Sequence, residues 1–105
     1  MGYYTDYTLH VNDATEVERL AISKWIEDHI GRMEDWGDGW YCNAKWYEHD
    51  EDMKELSLVF PHLLFELYGE GEESDDMWRT YYKGGKMQHC QAEIIFPEYD
   101  EAKLE

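Results

Sequence analysis

Basic residues are scarce in this chain. Nine Lys and Arg stand against 25 Asp and Glu among 105 residues, a formal charge of −16 at pH 7. So one-sided a balance excludes a bare phosphate-binding surface, because holding a nucleic-acid backbone needs clustered cations. It also opposes compaction through self-repulsion, which a core must offset. Cysteine is equally rare. Cys42 and Cys90 lie too far apart for a redox or zinc motif, and such low usage fits a reducing, cytoplasmic setting. No apolar run approaches the roughly 18 residues of a membrane span. Met1-Gly2-Tyr3-Tyr4-Thr5-Asp6 lacks the basic and apolar regions of a signal peptide, and Asp6 breaks the myristoylation pattern.

Against these shortages, hydrophobic residues make up 43% of the chain and aromatics 16%, with five Trp and nine Tyr. A chain this aromatic folds rather than staying disordered, and its length suits one domain. We place that domain at 1–97 and an acidic tail at 98–105.

Tyr3, Thr5, Tyr7, Leu9 and Val11 alternate with Tyr4, Asp6, Thr8 and His10, the pattern of a half-buried strand. Thr15 and Glu18 form a capping box. Val17, Ala21 and Trp25, widened by Leu20, Ile22, Ile26 and Ile30, predict a helix that stops near Gly31. Asp35 to Gly39 reads as a turn. Trp40, Cys42, Ala44 and Trp46 predict a second strand. His49 and Asp50 open a second helix with Met53, Leu56 and Phe60 inward and Pro61 at its end. Leu63, Phe65 and Leu67 predict a third strand, and Gly69 to Asp76 a polar loop. Met77 to Tyr82 and Met87 to Phe96 flank Lys83-Gly84-Gly85-Lys86, the best hairpin signal in the chain. Cys90, Ala92, Ile94 and Phe96 share a face of the last strand. The expected class is α+β, a single antiparallel-rich sheet of about five strands with two helices on one face. The element order is β-α-β-α-β-β-β, a ferredoxin-like variant.

Three stretches carry a resemblance: Lys45-Trp46-Tyr47-Glu48-His49-Asp50-Glu51-Asp52-Met53; Phe60-Pro61 with Leu64-Phe65-Glu66-Leu67-Tyr68-Gly69-Glu70-Gly71-Glu72-Glu73; and Asp76-Met77-Trp78-Arg79 with Tyr82-Lys83 and Gly85-Lys86-Met87-Gln88. Together with Tyr3-Tyr4-Thr5-Asp6-Tyr7-Thr8-Leu9 they resemble short acidic proteins of bacteriophages, prophages and large viruses. The resemblance brings no catalytic residue. It implies a viral or mobile-element origin and an inhibitor that acts on a host system by binding.

The acids cluster. Glu48, Asp50, Glu51, Asp52 and Glu55 form one group, and Glu66, Glu70, Glu72, Glu73, Asp75 and Asp76 another. On a helix, Glu48 with Asp52 and Glu51 with Glu55 share faces, which is unfavourable without a cation nearby. Such a surface attracts a basic protein and loses that advantage as salt rises. The expected partner is therefore a basic host protein, such as a nuclease or a CRISPR effector complex, met by a nucleic-acid-mimicking surface. A solvated face that keeps the chain soluble is the competing explanation. Trp36, Trp40, Trp46, Trp78, Tyr81 and Tyr82 exceed what the inner face of a small sheet buries, and Trp36, Tyr47, Trp78 and Tyr81 are candidate interface anchors or a homodimer seam. Trp78, Arg79, Lys83 and Lys86 form the alternative, a pocket for a small molecule or nucleotide.

Catalytic and metal patterns are absent from the sequence. Neither Asp35 to Gly39 nor Glu70 to Asp76 supplies an EF-hand loop. The five histidines are dispersed, and Ser23, Ser57 and Ser74 sit in no nucleophile elbow. Cys42 and Cys90 face each other only if their strands are neighbours. The expectation is a non-enzymatic binding protein without a cofactor.

Overall fold

The computed structural model describes residues 3–73, 75–93 and 95–105. Strand β1 (Thr5–Asn12) leads into helix α1 (Glu16–His29), followed by β2 (Glu34–Asp35), β3 (Trp40–Ala44) and helix α2 (His49–Val59). Strands β4 (Leu64–Gly71), β5 (Met77–Lys83) and β6 (Lys86–Gln91) complete one antiparallel sheet in the order β2-β3-β1-β4-β5-β6. The class is α+β, with six strands rather than five. Helix α1 joins β1 to β2 across β3, and α2 joins β3 to β4 across β1. Ile22 and Ile26 of α1 enter the same core as Met53 and Leu56 of α2, packed on Tyr7, Leu9, Phe65 and Leu67.

The extra strand is β2, which the acidic pair Glu34-Asp35 hides from any apolar alternation. It pairs with Tyr41 and Trp40, and Trp36 N–H closes the hairpin on Gly39 O at 2.9 Å. Strand β4 outruns its apolar residues for a similar reason. It lies between β1 and β5, so Gly69, Glu70 and Gly71 are paired backbone rather than loop. Strand β6 ends early because β5 starts at Met77, which leaves nothing to pair beyond Gln91 and the bond from Ala92 N–H to Met77 O. Phe96 is accordingly 83% exposed instead of strand-bound, and Ile94, assigned to the same face, lies outside the described residues. So does Ser74.

Helix α1 is bounded as its sequence predicts. Thr15 and Glu18 exchange both bonds of the capping box, and Gly31 follows the C-cap with a φ of 75°. Its buried face differs from the apolar count. Val17 and Leu20 are exposed, whereas Ile22 and Ile26 are buried. Polar contacts set the rotation. Arg19 lies 4.5 Å from the Trp40 ring centroid and pairs with Asp35, and Ser23 accepts from Trp40 Nε1 at 3.0 Å. Arg19, Ile22, Ser23 and Ile26 thus make one face at helical spacing. The β5–β6 turn uses Gly84 and Gly85 with φ of 58° and 79°, the two positive dihedrals a type I′ hairpin requires. Among the described residues no helix is long and apolar enough to cross a membrane.

Candidate functional site

The two helices cover one face of the sheet, and the register decides what the other face presents. Inward go Tyr7, Cys42 and Gly69 in one row, then Leu9, Trp40, Leu67 and Thr80 in the next. Outward go Asp6, Asn43, Glu70 and Met77 in one row, and Thr8, Tyr41, Tyr68, Arg79 and Cys90 in the next. These outward rows line a groove of about 490 Å³ that Tyr81 and Ala92 extend.

Thr8 is the low point of its row, with Tyr41 and Tyr68 on the strands either side. Asp6 is fixed in place, its Oδ1 accepting from Tyr41 Oη at 2.9 Å and from Asn43 Nδ2 at 2.7 Å. That bond to a carboxylate raises the Tyr41 hydroxyl above the usual tyrosine value. Burial does the same for Tyr68. The guanidinium of Arg79 lies 4.5 Å from the Tyr68 ring centroid and donates to Tyr81 Oη at 3.4 Å. Opposite Asp6, directly across the β1–β4 ladder, stands Glu70. Like charges facing each other across strands are unfavourable, and this pair sits in the groove.

Trp78 and Arg79 are neighbours in a strand and therefore point to opposite faces. Trp78 turns inward, where its ring stacks on His49 at 4.9 Å and lies near Tyr7 and His89. Gly69 makes room for it, since a Cβ there would collide with the indole. Lys83 and Lys86 form the pair beside the β5–β6 turn and line a separate hollow of about 340 Å³ with Leu64, Met87 and Gln88. Trp78 and Arg79 both border the outer groove, although the indole packs inward, so the pocket of Trp78, Arg79, Lys83 and Lys86 expected from the sequence is divided between two hollows.

The acidic clusters are also sorted by the fold. Asp50 accepts from Tyr82 Oη at 2.5 Å, and Asp52 from Trp46 Nε1 at 2.7 Å. These two are partly exposed carboxylates engaged as acceptors for core aromatics. Burial, reinforced by the bond to Asp50, drives the Tyr82 hydroxyl far above its ordinary value. Glu51 and Glu55 remain exposed, and Glu48 is the N-cap residue of α2 without a side-chain capping bond. In the second cluster Glu66 accepts from Asn12 Nδ2, Glu72 from the Tyr4 N–H and Asp76 from Tyr3 Oη. Glu70, Glu73 and Asp75 are exposed, and among the described residues their carboxylates make no hydrogen bond.

Tyr3 ties the segment before α2 to the β4–β5 turn at one end of the sheet. Its N–H donates to Tyr47 Oη beside α2 at 3.0 Å, and its hydroxyl reaches Asp76 and accepts from the Glu73 N–H. Tyr47 and Trp36 are 65% and 63% exposed, so both stay available as contact residues; Tyr81 is half-buried at the groove. Trp36 leans on Tyr41 with ring centroids 5.0 Å apart, which continues the aromatic surface from β2 to β3.

Cys42 faces the core and Cys90 the outer surface, so the two thiols cannot meet. Among the described residues no group of three or more His, Cys, Asp and Glu is placed to hold a metal ion. Sequence reasoning passed over Asp6, Thr8, Tyr41 and Tyr68 as site residues. The signal was present in the alternation of β1 and β3, whose outer residues are polar or aromatic. Comparison with protein-family models, with curated proteins and with solved structures gives no match.

Proposed function

We propose that this chain is a non-enzymatic binding domain that holds a basic protein against the acid-rich end and open face of its sheet. The observation that carries the reading is the set of acids around the β4–β5 turn, held against Tyr3 next to the groove headed by Asp6 and Glu70. Carboxylates concentrated there steer a cationic partner, and the exposed tyrosines and tryptophan add desolvated contact area. A nucleic acid is the wrong ligand for the same electrostatic reason. The resemblance to small phage proteins supports an origin in a phage or prophage. The target class it suggests is a nucleic-acid-handling or defence protein in the host cytosol, such as a nuclease or CRISPR effector complex. For the fold, the order β4-β1-β3-β2 with two straddling crossovers supports a ferredoxin-like unit, extended at β4 by the β5–β6 hairpin.

A second reading rests on the groove itself, whose volume is within the range of small-molecule sites. It requires a ligand compatible with two carboxylates, because Lys83 and Lys86 lie in the other hollow.

Glu70, Glu73 and Asp75 can be reversed to Lys without breaking an observed side-chain bond, unlike Glu72 and Asp76. Wild type immobilised in host lysate at low salt is expected to retain a basic protein that elutes at a distinct salt step. The folded triple variant is expected to release it at lower salt. Equal retention by wild type and variant would overturn the reading.

A further inference from the structure

We propose that the outer-face groove is an arginine subsite, in which a guanidinium from the basic partner sits between Asp6 and Glu70. This inference rests on the partner reading above and adds the chemistry of one contact to it. Three observations support it. The two carboxylates are direct cross-strand neighbours, a juxtaposition that a cation between them relieves. Asp6 is oriented before any ligand arrives, because Tyr41 and Asn43 both donate to its Oδ1 and leave Oδ2 for an incoming donor. The side-chain stem has a path, since Thr8 leaves a low floor between Tyr41 and Tyr68.

These features select arginine over lysine. A planar fork can donate to both carboxylates at once and lie flat against a tyrosine, whereas an ammonium is a compact, strongly hydrated point charge. They also reject phosphate, since Asp6 and Glu70 meet any anion entering at that end.

The test uses the full chain labelled for NMR, with acetyl-arginine methylamide, acetyl-lysine methylamide and ATP as probes. The arginine probe is expected to saturate, with shifts centred on Asp6, Thr8, Tyr41, Tyr68 and Glu70, at a concentration several-fold below the lysine probe. Glu70→Gln, which breaks no observed bond, is expected to weaken the arginine probe about tenfold. Asp6→Asn is expected to do the same, and Glu51→Gln with Glu55→Gln to leave it unchanged. Shifts spread evenly over all acidic surfaces, equal response to lysine, or ATP shifting the groove instead would each overturn the subsite. If Glu70→Gln abolishes the arginine preference but lysate capture is unaltered, the arginine subsite exists but is not the partner contact, and the proposal fails while the partner reading stands. If wild type retains no basic protein, the partner reading itself has failed.

Discussion

Tyr3 donates its hydroxyl to Asp76 at 2.7 Å across 73 positions of sequence, and the same oxygen accepts the Glu73 N–H. One side chain therefore ties the lead-in to β1 to the turn between β4 and β5. Gly71 lies beneath this contact, and a Cβ there would displace the Tyr3 hydroxyl and the Asp76 carboxylate.

Tyr3→Phe removes the donor to Asp76 and the acceptor for Glu73 together. The expected result is a lower midpoint in urea unfolding than wild type, from the loss of both hydrogen bonds. Amide exchange should quicken at Glu73 and Asp76 while the centre of β1 stays protected. Unchanged exchange at the turn would show that the hydroxyl does not order it.

The acids of α2 should behave as two populations. Asp52→Ala strips the acceptor from Trp46 Nε1, and is expected to destabilise by about 1–3 kcal/mol because a buried donor loses its partner. Glu51→Ala relieves repulsion with exposed Glu55 four residues on, so its effect should be within about 0.5 kcal/mol of zero. Equal effects in chemical denaturation would contradict the division into engaged acceptors and free charge.

His49 makes stability depend on pH. Its ring is largely buried between Trp78, Tyr7 and Trp46, and that desolvation lowers its pKa below the ordinary 6.5 despite the Asp50 carboxylate. Nδ1 lies 3.1 Å from Asp50 Oδ1 but is not aligned for a hydrogen bond, and among the described residues it has no other partner. Asp50 and Asp52 favour the charged ring, and nearby His89 disfavours it. The unfolded chain therefore takes up the proton first, so stability is full above about 6.5 and falls as pH drops below it. His49→Gln should flatten the difference between pH 7.5 and pH 5.5 in thermal unfolding. A slope unchanged by that substitution would place the dependence on the carboxylates.

The two thiols should react at different rates. Cys42 is buried, and burial pushes its thiol up to about 11, while Cys90 lies at the groove. At pH 8 a disulfide reagent is expected to label one thiol per chain quickly, lost in Cys90→Ser, and the second only on unfolding. Rapid labelling of both would show that the β3 side of the core opens readily.

Much of the fold is legible in the chain. The alternation in β1 and β3, the Thr15–Glu18 box, Gly31, and Gly84-Gly85 each encode local geometry, because side-chain period and special dihedrals are properties of a few consecutive residues. The elements that evade such reading lack that local signature. Glu34-Asp35 becomes β2 only because Trp40 and Tyr41 offer it backbone partners, and Gly69 to Gly71 is a strand only because β1 and β5 flank it. The rotation of α1 follows Arg19 and Ser23, whose partners Asp35 and Trp40 come from the hairpin beyond the helix.

The site divides in the same way. Composition alone determined that this protein is an acidic, aromatic-rich chain that repels phosphate, since charge and residue type need no coordinates. Tertiary structure alone decided which acids are free. It engaged Asp50 and Asp52 with core aromatics, held Asp76 and the Glu73 backbone against Tyr3, and set Asp6 against Glu70. The reason is that cross-strand register and long-range hydrogen bonds join residues far apart in sequence, so a carboxylate's neighbours are set by pairing rather than by position in the chain.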